Sequence, residues 1–232
     1  MTHFLPHRTV CLTLAFSFPG VAQADALQDK LLAGVRAALA DAYTFERTIV
    51  FERTGAARKV FVERFDPRRP PKESWSLISV DGHAPTAKEL AQSRKSKPGP
   101  VPSYGELATW LGAPATRSDT VPGYVTYRYA SLPAGTFRVG SHDASADTRA
   151  EALVNVKGPT PFVERIRFVS DKAFRMMMVA SVQSMDVTNH YRVLATGKVV
   201  PETSASVMAG SMLGKSGQIR TTVSYDRMQV AK

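Results

Sequence analysis

The spacing of apolar residues along this chain changes at residue 43, which indicates that one predicted element ends there and another begins. Between 25 and 42, apolar side chains recur every three or four residues, which predicts a helix with one apolar face. From Tyr43 onward the period is two. Phe45, Ile49 and Phe51 therefore fall on one side of a predicted strand, and polar residues fall on the other.

The middle of the chain predicts a series of short elements. They are a turn at 54–57, a returning strand at 59–65, a strand at 75–80, a helix at 85–93, a basic, proline-rich linker at 94–103 and a second short helix at 104–111. The first of these helices has a capping box, because Thr86 is followed three residues later by Glu89.

The last half of the chain predicts strands separated by turns. The candidates are 124–129, 152–156, 162–169, 175–185, 190–194, 198–207 and 218–227. This order predicts an α+β fold: a curved antiparallel sheet or incomplete β-barrel, with an N-terminal helix and short helices covering the concave face. We expect a single domain over 25–232, with a helical insert at about 84–112.

The first 24 residues have the layout of a secretory signal peptide. Arg8 supplies a positive charge, 9–18 form an apolar run, and the small residues Ala22 and Ala24 precede Asp25. The apolar run is about ten residues long, whereas a bilayer-spanning helix needs roughly 20. We therefore expect cleavage after Ala24 and export to the periplasm.

The single cysteine, Cys11, lies inside that apolar run. The residues before it, 8–10, do not form a lipid-attachment motif, so we expect no lipid anchor. The cleaved chain has no cysteine, which excludes disulfides, thiolate catalysis and cysteine-bound metals. An exported chain without disulfides indicates a bacterial periplasm and a core large enough to be stable alone.

The chain is strongly basic before and after cleavage. Removal of 1–24 takes away only Arg8 and lowers the formal net charge from +10 to +9. For an exported protein this favours an anionic membrane surface or an acidic envelope protein as partner, and no nucleic acid. The alternative is that these charges only solvate the surface. The candidate basic rim of a ligand site consists of Arg47, Arg68, Arg69, Lys72, Arg94, Lys95 and Lys97.

Motifs that resemble catalytic sites lack the spacing that their chemistry requires. Residues 209–216 resemble a phosphate-binding loop, but Ala209 stands where the pattern needs its first glycine, and two predicted strands flank the segment. Residues 140–143 place serine, histidine and aspartate side by side, where they cannot align as a catalytic triad. We therefore expect a hairpin turn and a polar loop, and no enzyme activity, metal or cofactor.

The methionines that follow the predicted cleavage site all lie between Met176 and Met228. Methionine adapts to irregular apolar ligands as well as to irregular cores, so this distribution is typical of either a plastic core or an apolar cavity. The candidate cavity residues are Phe45, Ile49, Phe51, Trp75, Trp110, Ile166, Phe168, Met176, Met178 and Tyr191.

Five segments near the C-terminus follow one another in an informative order: 162–168, 176–182, 190–193, 197–201 and 218–227. Together they resemble the closing strands of the LolA/LolB/RseB-type superfamily of periplasmic lipoprotein carriers and sensors. The resemblance implies an incomplete antiparallel barrel wrapped over helices, with an apolar cavity that holds acyl chains. The chain departs from the membrane-anchored members of that superfamily because it lacks their lipid-attachment motif.

These features predict a monomeric periplasmic binding protein that takes up lipid or lipoprotein acyl chains in a half-barrel cavity. One alternative is a regulatory or structural envelope protein that binds a protein partner on the same fold with a filled core. A second alternative, an envelope enzyme, requires polar groups that converge inside the cleft. The first two hypotheses differ in whether the cavity is open or filled.

Overall fold

The computed structural model describes residues 25–95, 103–170, 172–177, 180–212 and 214–231. The predicted signal peptide lies outside these described residues. The helices of this part of the chain are α1 (Ala26–Ala37), which continues as a 3₁₀-turn (Ala38–Ala40), α2 (Ala87–Lys95), a 3₁₀-helix at Tyr104–Thr109, named here the cover helix, and a 3₁₀-helix at Ser145–Asp147.

Both α-helices begin at side-chain caps. Asp25 accepts a hydrogen bond from the backbone N–H of Leu27 at 2.9 Å and so caps α1. At α2, the Thr86 backbone N–H donates to Glu89 Oε2 at 2.7 Å, and the Glu89 N–H donates to Thr86 Oγ1 at 3.3 Å. These reciprocal bonds confirm the capping box. None of the residues of α2 is buried.

The strands, in chain order, are β1 Tyr43–Arg53, β2 Lys59–Phe65, β3 Trp75–Val80, β4 Thr116–Ser118, β5 Tyr124–Tyr129, β6 Arg138–Val139, β7 His142–Asp143, β8 Arg149–Asn155, β9 Phe162–Ser170, β10 Phe174–Met177, β11 Ala180–Val193, β12 Val199–Met212 and β13 Lys215–Val230. The predicted hairpin at 54–57 is confirmed by the antiparallel pairing of β1 with β2. The segment that resembles a phosphate-binding loop is the hairpin between β12 and β13, as predicted.

One large antiparallel sheet contains nearly all of these strands. Its order is β3-β2-β1-β13-β12-β11-β9-β8-β5-β4, β10 pairs with β11, and β6 and β7 form a separate hairpin. Within the described residues β3 and β4 do not pair with each other, so the curved sheet is open and does not close into a barrel. The predicted fold class, an open antiparallel sheet with few helices, is confirmed.

The register of the strands assigns each side chain to one of two faces. We call the face that carries α1 and the cover helix the inner face, and the opposite one the outer face. Tyr127, Ala152 and Ile166 are directly opposed on β5, β8 and β9 and are buried on the inner face. Leu31 and Val35 of α1 pack into the same core. This core is the covered half of the inner face.

The segments predicted as strands at 175–185 and 190–194 lie mostly in strands, but their bounds are wrong. The chain reverses after β10, so that Met177 pairs with Ala180, and β11 then continues unbroken to Val193. No glycine or proline marks this reversal in the sequence. The segment between the two predicted strands, 186–189, is itself a strand with alternating side chains, in which Val187 pairs with the inner-face residue Phe168.

Two other local predictions also differ from the structure. The helix predicted at 104–111 is the shorter 3₁₀ cover helix. The sequence analysis did not predict β4 or the β6–β7 hairpin, because strands of two or three residues are too short to show an apolar period.

Candidate functional site

The covered half of the inner face is tightly filled. The ring of Trp110, which follows the cover helix, meets Tyr129 edge-on at 5.1 Å and Phe168 at 5.6 Å between centroids. Ile166 is fully buried beside them. Aromatic rings in edge-to-face contact at these distances leave no space for a ligand between them.

Hydrogen bonds fix the cover to the sheet. The Tyr104 hydroxyl accepts a hydrogen bond from the Val163 backbone N–H at 2.9 Å, and its ring stacks edge-on against Tyr191 at 5.2 Å. Burial raises the pKa of Tyr104 to about 12. The Tyr129 hydroxyl donates to the Leu111 carbonyl at 3.0 Å, and Gln28 of α1 donates to the same carbonyl at 2.6 Å.

The other half of the inner face carries apolar side chains that are only half-buried. At its two ends, Met208 packs against a buried cluster around Met185 and Phe174, and Val223 packs against the aromatic start of β1. The pairs Ile49–Phe61, Ile49–Val223 and Met208–Ile219 connect β2, β1, β13 and β12 across this surface. These side chains are half-buried, and Ile219 is 38% exposed. We name this surface the open trough. Its members are Ile49, Phe51, Phe61, Met208, Ile219 and Val223.

Hydroxyl groups lie among the apolar side chains of the open trough. Ser206 and Thr221 are directly opposed on β12 and β13, and both are half-buried. The trough is therefore mainly apolar but offers hydrogen-bonding groups along its floor. This mixture differs from the covered half, where apolar and aromatic side chains fill the space.

A row of polar side chains separates the open trough from the aromatic start of β1. Arg47 Nη2 lies 2.6 Å from Glu63 Oε2, and these side chains are only 11% and 20% exposed. The Arg47 guanidinium also lies 3.9 Å from the centroid of Trp75. Burial raises the pKa of Tyr225, while the adjacent, hydrogen-bonded Arg47 acts to lower it.

The polar row continues on the next strands. The Ser204 hydroxyl donates to Asn189 Oδ1 at 2.7 Å, between the directly opposed residues of β12 and β11. Together Glu63, Arg47, Tyr225, Ser204 and Asn189 place hydrogen-bonding groups across the inner face beside the apolar trough. Because Glu63 neutralises Arg47, the row presents dipoles and donors with little net charge.

An aromatic cluster closes the inner face beyond the polar row. Phe45 lies 5.3 Å from Phe65, 5.7 Å from Trp75 and 5.6 Å from Tyr225 between ring centroids. Met228 and Val200 are buried with them. This end of the sheet is therefore a second packed core, and the open trough lies between two filled regions.

The structure separates the candidate cavity residues into three groups. Ile49 and Phe51 line the open trough. Phe45 and Trp75 belong to the aromatic cluster, and Trp110, Ile166, Phe168 and Tyr191 belong to the packed core of the covered half. Met178 and the side chain of Met176 lie outside the described residues.

The candidate basic rim does not converge on the inner face. Of the rim residues that the structure describes, only Arg47 lies there. Arg68 pairs with Asp66 at 2.9 Å in the turn before β3. The remaining described members, Arg69, Lys72, Arg94 and Lys95, are exposed on that turn or on α2, and Lys97 lies outside the described residues.

Sequence reasoning missed most of the partners in the open trough. Phe61 alternates with Glu63 and Phe65 in the segment 59–65, so the period of two already placed the three on one side. Ile219 and Val223 share the same alternation on β13. The strand order could not be read from the sequence, because β1 of the first hairpin pairs with β13, the last strand of the chain.

Two simple patterns, a cluster of metal ligands and a membrane-spanning helix, do not occur within the described residues. No three metal-ligating side chains lie together there. In the same part of the chain, no helix has the length and apolar character needed to cross a membrane.

Comparison with known proteins gives a structural likeness. No protein-family model matches this chain, and no curated protein is similar to it. Among solved structures, the chain is similar to a LolA superfamily protein from Nitrosomonas europaea, with a TM-score of 0.34 and 12% sequence identity, over 90% of this chain and 94% of the other. This is the superfamily that the sequence resembles. At this TM-score the likeness does not transfer the properties of that protein.

Proposed function

We propose that this protein binds an apolar chain, namely an acyl chain of a lipid or lipoprotein, in the open trough. The observation that carries this proposal is the contrast between the two halves of one sheet face. Aromatic and aliphatic side chains fill the covered half, whereas those of the trough stay half-exposed on four adjacent strands. A contiguous apolar surface of this kind is typical of a binding site.

The energetics favour an extended methylene chain. Burial of each CH₂ group contributes about 0.8 kcal/mol, so affinity increases with the length of chain that the trough covers. The polar row at the end of the trough suits the polar or ester end of such a ligand. Arg47 and Tyr225 supply donors there, and the Arg47–Glu63 pair avoids an uncompensated charge.

We also propose that the protein is exported and processed after Ala24. The caps of α1 support this step, because Asp25 itself caps the helix and no earlier residue is needed to begin it. The periplasm is the compartment that fits a signal peptide and a cleaved chain without cysteine.

The test is a titration of the purified protein with dansyl-labelled undecanoic acid, followed by dansyl fluorescence. We expect saturable binding, and a loss of about tenfold in affinity for Ile49→Asn, because this change places an amide under the acyl chain. Val50→Asn is the matched control. Val50 is half-buried and adjacent on β1 but lies on the outer face, opposite Val60. This variant should bind as the original chain does.

If Ile49→Asn, Val50→Asn and the original chain bind dansyl-undecanoic acid with equal affinity, the probe does not bind in the open trough. Native mass spectrometry of the purified protein supplies a second readout, since a bound lipid adds a mass that organic extraction removes. A bare polypeptide mass together with no dansyl binding would favour the partner-binding alternative. The edge strand β3, where Ile78 is 40% exposed, offers a surface for that role.

A further inference from the structure

The outer face contains an arginine-lined depression that the acyl-binding proposal does not use. The depression has a volume of about 390 Å³ and lies over β5, β8 and β9. Its lining includes Arg128, Arg149, Arg167 and Glu151. Small-ligand sites commonly measure about 300–1,000 Å³, so a compact polar ligand fits this volume.

The strand register explains why the arginines converge. Arg128, Glu151 and Arg167 are directly opposed on β5, β8 and β9 and therefore form one row on the outer face. Arg149 is on the same face of β8, two residues before Glu151. Cross-strand neighbours on one face lie close enough for their side chains to interact.

Positive charge exceeds negative charge in this row. Glu151 accepts from Arg128 at 3.0 Å and lies 3.4 Å from Arg165, so one carboxylate serves two guanidinium groups. Arg167 pairs with Asp186, with Nε 3.1 Å from each carboxylate oxygen. The three guanidinium groups of Arg128, Arg165 and Arg167 thus share the two carboxylates of Glu151 and Asp186.

These ion pairs are exposed enough to exchange partners. The side chains of Arg128 and Arg167 are 56% and 53% exposed. Exposed ion pairs contribute little free energy, so replacing a carboxylate contact by another oxyanion costs little. Guanidinium forks match the oxygens of a phosphate group in bidentate geometry.

We infer that this depression binds a phosphate group. The ligand is a phosphate monoester or diester, whether free in solution or as the headgroup of a phospholipid. Arg128 and Arg167 hold its oxygens from the two sides of Glu151. This site lies on the opposite face of the sheet from the open trough, so the two proposals stand independently.

The experiment is a titration with inorganic phosphate at low ionic strength, read from the Nε–H resonances of the arginines by NMR. We expect saturable shifts at Arg128 and Arg167, and roughly tenfold weaker binding in Arg167→Gln, because a charge-assisted contact is lost. Glu151→Gln should bind more tightly, since it removes the carboxylate that competes for the same donors.

Arg64→Gln is the matched control. Arg64 is also 53% exposed and also pairs across strands on the outer face, with Glu46, but it lies far along the sheet on β2. Its affinity for phosphate should not change. Non-saturable shifts, or equal losses in Arg64→Gln and Arg167→Gln, would overturn the inference, because both results indicate only a diffuse positive surface.

A second arm identifies the source of the phosphate. Vesicles of phosphatidylcholine with and without phosphatidylglycerol are mixed with the original chain and with Arg167→Gln. Binding that needs both the anionic lipid and Arg167 supports a lipid headgroup as ligand. Phosphate binding without vesicle binding supports a soluble phosphate ester. Dansyl-undecanoic acid should bind Arg167→Gln as it binds the original chain. The dansyl titration therefore tests the open trough, and the phosphate titration tests the depression independently.

Discussion

Asp25 connects three parts of the structure through one carboxylate. It caps α1 through the Leu27 N–H, accepts from the Tyr127 hydroxyl at 2.6 Å, and pairs with Arg117 at 2.8 Å. The bond from Tyr127 is the main cause of the lowered pKa of Asp25, with Leu27 and Arg117 contributing further. The start of the described chain is therefore tied to the far strands β4 and β5.

The lowered pKa of Asp25 predicts a specific pH dependence. Its folded-state pKa lies below the unfolded value, so its stabilisation is present above about pH 4 and is lost as the pH falls through the folded pKa. Asp25→Asn keeps a capping side chain but removes the charge. We expect it to lower the free energy of unfolding by about 1 kcal/mol at pH 7 and by less at pH 2.

Urea unfolding of both proteins across this pH range measures the difference. The control is Asp29→Asn, in the same first turn of α1 but exposed. Only a weak interaction with the helix dipole is expected there, worth a few tenths of a kcal/mol. A difference between Asp25→Asn and the original chain that stays constant with pH would contradict the role of the charge.

The contact between α1 and the cover helix depends on a glycine. A Cβ atom added at Gly105 would lie 2.8 Å from Leu39 Cδ2 and 2.9 Å from both Leu39 Cα and N. Two of these three atoms belong to the backbone and cannot move without shifting the end of α1. The close approach of the two helical elements therefore requires glycine at this position.

Substitutions at two glycines should change stability in opposite directions. Gly105→Ala should cost about 1–3 kcal/mol, because it overpacks the contact with Leu39. Gly34→Ala should add about 0.5–1 kcal/mol, because Gly34 lies inside α1 and its added Cβ meets no atom within 4 Å. Thermal and urea unfolding test both variants. A neutral Gly105→Ala would mean that the cover helix is not held against Leu39.

The elements were more predictable from the sequence than the site. Strand β5 and the capping box of α2 follow from local alternation and from the Thr86–Glu89 spacing, which act within a few residues. The pairing of β1 with β13 joins residues at opposite ends of the chain, and no local pattern encodes it. Ile49 and Phe51 were therefore identified as candidates, but Val223 and Ile219 across from them were not.

Charged residues were the least predictable part of the site. The number of basic residues indicates an anionic partner but not which face presents the charge. Only the folded register brings Arg128 and Arg167 to either side of Glu151, whereas Arg68 and Arg69 remain on a turn. In the sequence, Arg47 interrupts the apolar face of a predicted strand. The fold explains this interruption, because Arg47 is opposed to Glu63 and forms an ion pair with it.

At the scale of the whole molecule, one half of the sheet is more deeply buried than the other. Strands β8 and β9 lie within the sheet, with Val154, Val163 and Ile166 fully buried. Strands β1 and β13 are also central but carry the open trough on their inner face. Local opening is easier where fewer buried contacts oppose it. Backbone amides of β8 and β9 should therefore exchange with solvent more slowly than those of β1 and β13.

Hydrogen exchange with and without dansyl-undecanoic acid then locates the ligand on the fold. A ligand bound to the native state adds stability by mass action, about 2.7 kcal/mol at one hundred times its dissociation constant, and protects the strands that it covers most directly. We expect slower exchange in β1, β2 and β13 and unchanged exchange in β8 and β9. Protection confined to β8, β9 and the cover helix would contradict binding in the open trough. That result would instead mean that the cover opens and that Trp110, Ile166, Phe168 and Tyr191 form the cavity, because a ligand in the outer-face depression over β8 and β9 would not protect the cover helix as well.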